Sequence, residues 1–172
     1  ESALSPGAAI LINLTDNFAF HFSASRSFRA PTLNELYRGF RVGNVVTTAN
    51  EALRAEKAAN FEGGASLKKG NFALRTTAFL TEIDGAISNV TSSSTPSLIT
   101  RQRQNAGKTR TAGLEIDAET RIGSFELNTG YLLSDSVVNE FPSNPALVGK
   151  RIPQVPLQQL TFQTRYPIHG WI

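Results

Sequence analysis

The stretch "EIDAE" sets three carboxylates, Glu115, Asp117 and Glu119, two residues apart. On a β-strand that spacing puts all three on one face. Carboxylates are the hard oxygen ligands that Ca2+ takes, but the ion needs about six to eight oxygens around it. A single strand face cannot wrap an ion. The stretch is therefore read as part of a water-facing wall whose acids pair with neighbouring Arg or Lys. "AGKT" at 106–109 has the look of a phosphate loop. The full pattern needs a glycine five positions before Gly107, where Gln102 stands, and a helix after it; the phosphate reading is rejected.

Two basic groups stand out. Arg101, Arg103, Lys108 and Arg110 lie at the entrance to a strand. They lack the interleaved aromatics that single-stranded nucleic acid stacks on, so they are read as a solvated loop base facing acidic lipid headgroups. Arg26, Arg29, Arg38 and Arg41 form the second group. They could draw in an anionic substrate, or serve loop architecture, with Arg29 paired to Glu35 and Arg26 set in the wall. His21 and His169 have no Ser/Asp arrangement near them in sequence, and Glu82 and Asp84 have no catalytic framework. No residue is assigned a catalytic, cofactor-binding, metal-binding or ligand-binding role. The chain is expected not to be an enzyme and to carry no cofactor.

Composition narrows the classes further. The 172 residues include no Cys and no Met. Zero Cys excludes disulfides, thiolate metal sites and Cys nucleophiles. Zero Met reads as a fragment or a processed product. A net charge of +3, spread along the chain, is too weak for a nucleic-acid partner. The longest apolar run, "AAILINL", falls far short of the roughly 20 residues of a membrane helix. No basic region precedes an apolar core at the start, so no signal peptide is read.

The elements that carry these residues are strands. "AAILINL", "FAFHFSASRS", "AEKAANFEGGASLKK", "FALRTTAFLTEID", "NAGKTRTAGLEIDAETR", "FELNTGYLLSDSVV" and "LQQLTFQTRY" are joined alternately by tight turns and long loops. The tight turns fall near Asp16, Gly70 and Gly123. The connections between them are expected to be loops, among them the Ser/Thr-rich "SNVTSSSTPSLITRQRQ". An antiparallel meander of about seven such strands, each beside its sequence neighbour, puts every short turn at one end and every long loop at the other. Alternation then sorts the faces: Phe20, Phe22, Leu114, Ile116, Leu127, Tyr131 and Phe162 on one, His21, Glu115, Asp117, Asn128 and Gln163 on the other. A soluble β-sandwich would alternate in the same way. Two features point instead to an outer-membrane barrel. The strands run to 10 or more residues, where a tilted membrane strand needs about 9–11. The ends are also asymmetric, with Phe18, Phe72, Phe125 and Tyr166 near strand ends as an interfacial girdle. The alternative is a soluble β-rich binding or adhesion module.

Four segments in order carry a resemblance. "SASRSFRAPTLNELYRG" resembles the S-x-g-F-R-A-P-x-L-x-E-L-y segment of TonB-dependent outer-membrane receptors. Asn50, Leu53, Glu56, Asn60, Glu62 and Gly64, then Thr77, Phe79 and Ile83, match that family's N-x-x-L-x-x-E-x-x-x-N-x-E-x-G strand and T-x-F-x-x-x-I return strand. Asn105, Gly113 and Glu115 match its N…G-x-E strand. "GKRIPQVPLQQL" is similar to its r-x-P-x-x-P-x-h segment, with Gln158 where His is frequent.

The resemblance implies an all-β, antiparallel up-and-down transmembrane β-barrel, of which residues 1–172 are a partial domain from its latter part. About seven strands would then belong to a barrel of roughly 22, with the plug domain and closing C-terminal strands absent. It implies a bacterial outer-membrane location and active import of a scarce ligand, such as siderophore-bound iron or cobalamin. The implied partners are outer-membrane lipid, the TonB system acting through the plug, and an extracellular small molecule such as a metal chelate.

Overall fold

The computed structural model describes residues 4–153 and 155–167; His169 lies outside them. In chain order the elements are β1 (Gly7–Thr15), β2 (Phe18–Arg29), α1 (Leu33–Tyr37), β3 (Phe40–Val42), β4 (Val45–Thr48), β5 (Glu56–Lys69), β6 (Phe72–Asp84), β7 (Ile87–Ser94), β8 (Ile99–Asn105), β9 (Lys108–Ile122), β10 (Phe125–Glu140), the 3-10 turn η1 (Pro145–Leu147) and β11 (Gln158–Arg165). Seven of them form one antiparallel wall in the order β1-β2-β5-β6-β9-β10-β11. This is the expected meander, with each wall strand beside the next in sequence. Two-residue turns close one end. Gly70 and Gly123 take φ of 57° and 60° there, the left-handed region that hairpin turns need and that a Cβ disfavours.

Register shows that the faces are sorted across the whole wall. One lateral row on the apolar face runs Ile12, Phe20, Ala65, Thr76, Ile116, Tyr131, Leu160. The adjacent row on the polar face runs Leu11, His21, Gly64, Thr77, Glu115, Leu132, Gln159. Five successive apolar-face rows, from the Phe72 row to the Phe61 row, carry a single full charge outside their edges, Asp135, besides Lys69 at the turn end. At about 6.7 Å per row that is roughly 27 Å of strand, or about 20 Å of height at the tilt of barrel strands. Phe18, Phe72, Phe125 and Tyr166 all sit on this face at the turn end, and Phe125 packs against Tyr166 with the rings tilted by 33° and their centroids 4.6 Å apart.

Among the described residues nothing covers the apolar face. Leu160 is 70%, Phe162 67% and Phe22 48% exposed, while Leu53 and Ala106 are the buried apolar residues among those described. A sandwich would bury that face under a second sheet. The wall is also curled. Seven flat strands would span about 29 Å, yet one cavity of about 670 Å3 is touched by Asn13 on β1 and Gln163 on β11 alike, with Arg75, Asp117 and Asn128 between them. The polar face is the concave one.

The long connections are not plain loops. The Ser/Thr-rich segment, expected to be a loop, is the hairpin β7–β8. Its alternating Ile, Val and Thr suit a strand, and the Thr95 hydroxyl closes its turn by accepting from Leu98 N and donating to Leu98 O, both 3.0 Å. The connection after β2 holds α1 and the hairpin β3–β4. Strand β4 then pairs in parallel with β8, so the two connections merge into a second sheet of order β3-β4-β8-β7. Sequence-neighbour pairing therefore holds in the wall and within each loop hairpin, and fails where β4 meets β8, which are brought together by the bases of their connections.

Candidate functional site at the loop end

The segment after β2 ends the strand and at once builds a short helix. Pro31 stops the ladder, and Thr32 caps α1 in a reciprocal box. Glu35 N donates to Thr32 Oγ1 (3.2 Å) and Thr32 N donates to Glu35 Oε2 (2.7 Å). Five residues cannot hold a helix unaided, and the holders come from elsewhere. Arg29 donates to Glu35 (3.0 Å) and to Glu56 (2.6 Å). Glu56 also accepts from Ile87 N (2.6 Å). Arg103 donates to the carbonyls of Asn34, which also accepts from Arg38 N, and of Arg38 at the helix end, and its guanidinium lies 5.2 Å from the Phe40 ring centroid.

Two asparagines tie the bases together. Asn50 Nδ2 donates to Arg103 O (2.8 Å), and Asn50 N donates to Glu35 O (3.1 Å). Asn105 Oδ1 accepts from Arg54 N (2.8 Å), while its Nδ2 donates to Arg54 O (2.9 Å) and Gly85 O (2.7 Å). Arg29, Glu35, Asn50 and Glu56, drawn from two of the sequence motifs, thus form one bonded cluster, and Asn105, from a third, holds the adjoining backbone at Arg54 and Gly85. Arg29 and Glu56 lie opposite each other on the concave face, so the helix they hold is tethered to the inner side of the wall. The Arg29–Glu35 pairing expected from sequence is present. Arg38 contributes a carbonyl to the cluster and Arg41 bonds the Gly43 carbonyl (2.9 Å).

The cluster has a pH dependence. Burial alone would raise the Glu35 carboxyl, but the Arg29 hydrogen bond and the Thr32 backbone and hydroxyl outweigh it and hold it at about 2, against an ordinary 4.5. A carboxyl depressed in the folded state stabilises the fold above its unfolded pKa, and that contribution fades as pH falls through the folded value. Amide exchange across residues 32–54, taken relative to the intrinsic rate of the unfolded chain at each pH, should therefore be unchanged between pH 7 and 5. It should then accelerate between about pH 4.5 and 2. In Glu35→Gln the exchange should be fast at every pH. A Glu35→Gln protein that keeps the acid step would show the step to belong to another group.

On the concave wall the remaining motif residues fall into register. Gly64 stands opposite His21 and Thr77, and Glu115 opposite Thr77. Phe79 lies between Glu62 and Gly113. His21 reaches across Gly64 to Thr77, with Nε2 3.1 Å from its Oγ1. A Cβ on Gly64 would collide with the His21 ring and Thr76 O, and one on Gly113 with the Phe79 ring and Leu133 O. Each glycine is the floor under a side chain from the next strand. Gly113→Val should cost the barrel about 1–3 kcal/mol by overpacking, read as a lower urea midpoint in a refolding assay of the full-length protein. An unchanged midpoint would refute the close packing.

Several expectations are corrected. Glu115, Asp117 and Glu119 do face the concavity, and the first two line a cavity of about 530 Å3 with Glu62, Arg75, Thr77 and Phe79. They form no ion pair, however. The ion pairs among described residues lie elsewhere, and Arg75, in register with Asp117, does not close on it. Across a wide concavity each acid keeps its own hydration, and an exposed pair would add little. Arg26 is not in the inner wall. It shares parity with Phe20 and Phe22 and lies on the apolar face, in line with Ala59, Glu82 and Arg110. The basic stretch 101–110 is split: Arg103 clamps α1, while Lys108 and Arg110 stand on the outer wall. Among the described residues no group of three or more His, Cys, Asp or Glu could hold a metal ion.

A curled wall of long antiparallel strands, apolar outside and polar inside, with tight turns at one end and an ordered loop sheet at the other, is the wall of a transmembrane β-barrel. The family described as "TonB dependent receptor-like, beta-barrel" matches residues 1–172, and the chain belongs to that family. No curated protein matches the sequence. Among solved structures the chain is similar to the FrpB iron transporter from Neisseria meningitidis (F3-3 variant), with a TM-score of 0.70 and 22% identity over 99% of this chain and 25% of that one. It is also similar to the siderophore receptor PirA from Pseudomonas aeruginosa, with a TM-score of 0.69 and 20% identity over 79% of this chain and 28% of that one. A copper transporter, OprC, gives a TM-score of 0.71 and 15% identity over 96% and 24%. The chain thus spans about a quarter of the length of the structures it matches. The family and these structures are receptors and transporters, not enzymes.

Proposed function

We propose that this chain is an arc of the barrel wall, with its outward loops, of a bacterial outer-membrane receptor that binds a scarce ligand outside the cell and imports it. The observation that carries the reading is the loop sheet pinned to the inner side of the mouth by Arg29, Glu56, Arg103 and Asn105. It gives a polar, concave wall an ordered cover from which ligand-contacting loops can vary. On this reading residues 1–172 are part of the barrel domain, and the plug and the closing strands lie elsewhere in the whole protein. The ligand class is a metal chelate such as siderophore-bound iron, or cobalamin, in keeping with the iron named for FrpB, the siderophore named for PirA and the copper named for OprC. Energy would reach the barrel from the TonB system through the plug. Deleting the gene and measuring uptake of a labelled panel of ferric siderophores, haem, copper chelates and cobalamin tests this. Loss of one uptake, restored by the intact gene and not by a version lacking its TonB-contacting segment, is the expected result. Unaltered uptake across the panel would sink the proposal for these ligands.

A further inference from the structure

The loop sheet has two edges, β3 and β7, and they are built differently. Strand β3 is 3 residues long, carries Arg41 and is flanked by Gly39 and Gly43. A short, charged edge is one that a protein can leave in water. Strand β7 is 8 residues long, "ISNVTSSS", with no charge, no proline and no glycine. Its register shift lies at Ser92, nearer the tip, and leaves Ile87–Thr91 regular. The direction of its backbone groups follows from its partners. Ile87 N turns away from β8 and donates to Glu56 (2.6 Å). Ser88 and Val90, opposite Gln104 and Gln102, turn their groups toward β8, so Asn89 and Thr91 turn theirs outward with Ile87. Glu56 thus satisfies the first outward N–H, at the base of the strand. Beyond it the N–H and C=O of Asn89 and Thr91 meet no partner among the described residues, and both residues are exposed.

We propose that β7 is an inner strand of a larger loop sheet in the whole receptor, its outward edge paired with an extended, uncharged segment from another outward loop of the same barrel. The inference rests on the barrel reading. An unprotected edge is a template for any extended chain, and edges that stay in water are blunted by charge, proline or shortness. Strand β3 is blunted and β7 is not, so β7 is the edge built to be covered. Two observations select a loop of the same barrel as the cover. The sheet already grows in this way: β4 and β8 belong to different connections and meet edge to edge over Val45–Thr48. The side chains of β7 are hydroxyl, amide and aliphatic, with no charge to steer a separate protein in through water. A strand tethered to the same barrel needs no steering, since main-chain bonds alone hold it once it is near. Ser, Thr, Asn or Val would suit the places beside Asn89 and Thr91, as like side chains do across a pair of strands. The cover over the polar concavity would then draw on at least three loops.

The test uses the pure full-length protein refolded into phosphatidylcholine vesicles, with amide exchange resolved to single residues and taken relative to the intrinsic rate. In the inserted wild type the Asn89 and Thr91 amides should exchange on the order of a hundredfold more slowly than free ones. Asn89→Pro removes an outward donor and leaves the donors that Ser88 and Val90 give to β8. It should speed exchange at Thr91 and in a segment outside residues 1–172 by about tenfold or more, with residues 99–105 unchanged. Free exchange at Asn89 and Thr91 in the inserted wild type overturns the proposal and leaves the barrel intact. So does protection that falls away on dilution, which would assign the edge to a second copy, and so does an Asn89→Pro protein in which no outside segment responds. A wild type that does not insert as a heat-modifiable barrel overturns the barrel reading and this inference with it. Should Asn89→Pro fail to insert, Thr91→Pro is measured in its place, with the same response expected at Asn89 and in the outside segment. Should neither insert, the two wild-type amides decide.

Discussion

Expressed alone in water, the 172-residue chain is expected not to form a soluble monomer. Its apolar belt is uncovered, with Ile10 60%, Leu160 70% and Phe162 67% exposed, and Leu53 and Ala106 are its buried apolar residues among those described. A patch spanning seven strands far exceeds the few hundred Å2 that monomers tolerate. The wall also has two open edges, β1 and β11, each with a row of unpaired N–H and C=O groups that invites another chain. Lipid alone does not solve this, because each unpaired group in hydrocarbon costs several kcal/mol. The chain should therefore aggregate, or require detergent or the remainder of a barrel. Light scattering and a thermal melt of detergent-free protein check it. A monodisperse monomer with a cooperative melt would refute the lipid-facing assignment and restore the soluble β-module.

Ile116→Arg should destabilise the full-length barrel by about 2–4 kcal/mol, while the same change one residue on, Asp117→Arg, should stay within about 0.5 kcal/mol. Ile116 lies in the middle of the five apolar rows, flanked by Thr76 and Tyr131, where a charge has the farthest to reach for water. Asp117 points into the concavity, opposite Gly130. The contrast between adjacent residues isolates the face from the strand, since any general effect of Arg on β9 would appear in both. Refolding into vesicles across a urea series measures it. Equal costs at 116 and 117 would show that the assigned faces are wrong, as a one-residue slip in register inverts them all.

The wall was legible in the sequence because its information is local. Strand alternation depends on residues two apart, the turns at Gly70 and Gly123 on single left-handed positions, and strand length on uninterrupted pattern. Arg26 was legible too, by its parity with Phe20 and Phe22. A charge is tolerated on that face because its row lies beyond the belt. The motifs could be recognised in order along the chain, yet their meeting could not. Asn105 bonds Arg54 across 51 residues, and Asn50 bonds the Arg103 carbonyl across 53. Nor does any local pattern in "VVTT" or "ITRQRQN" say that β4 will pair in parallel with β8. Alternation determines which way side chains point and which segments extend. Which extended segments pair, and which backbone carbonyls Arg103 must satisfy, is decided only when the wall has brought the loop bases together, since those contacts join groups that sequence leaves far apart.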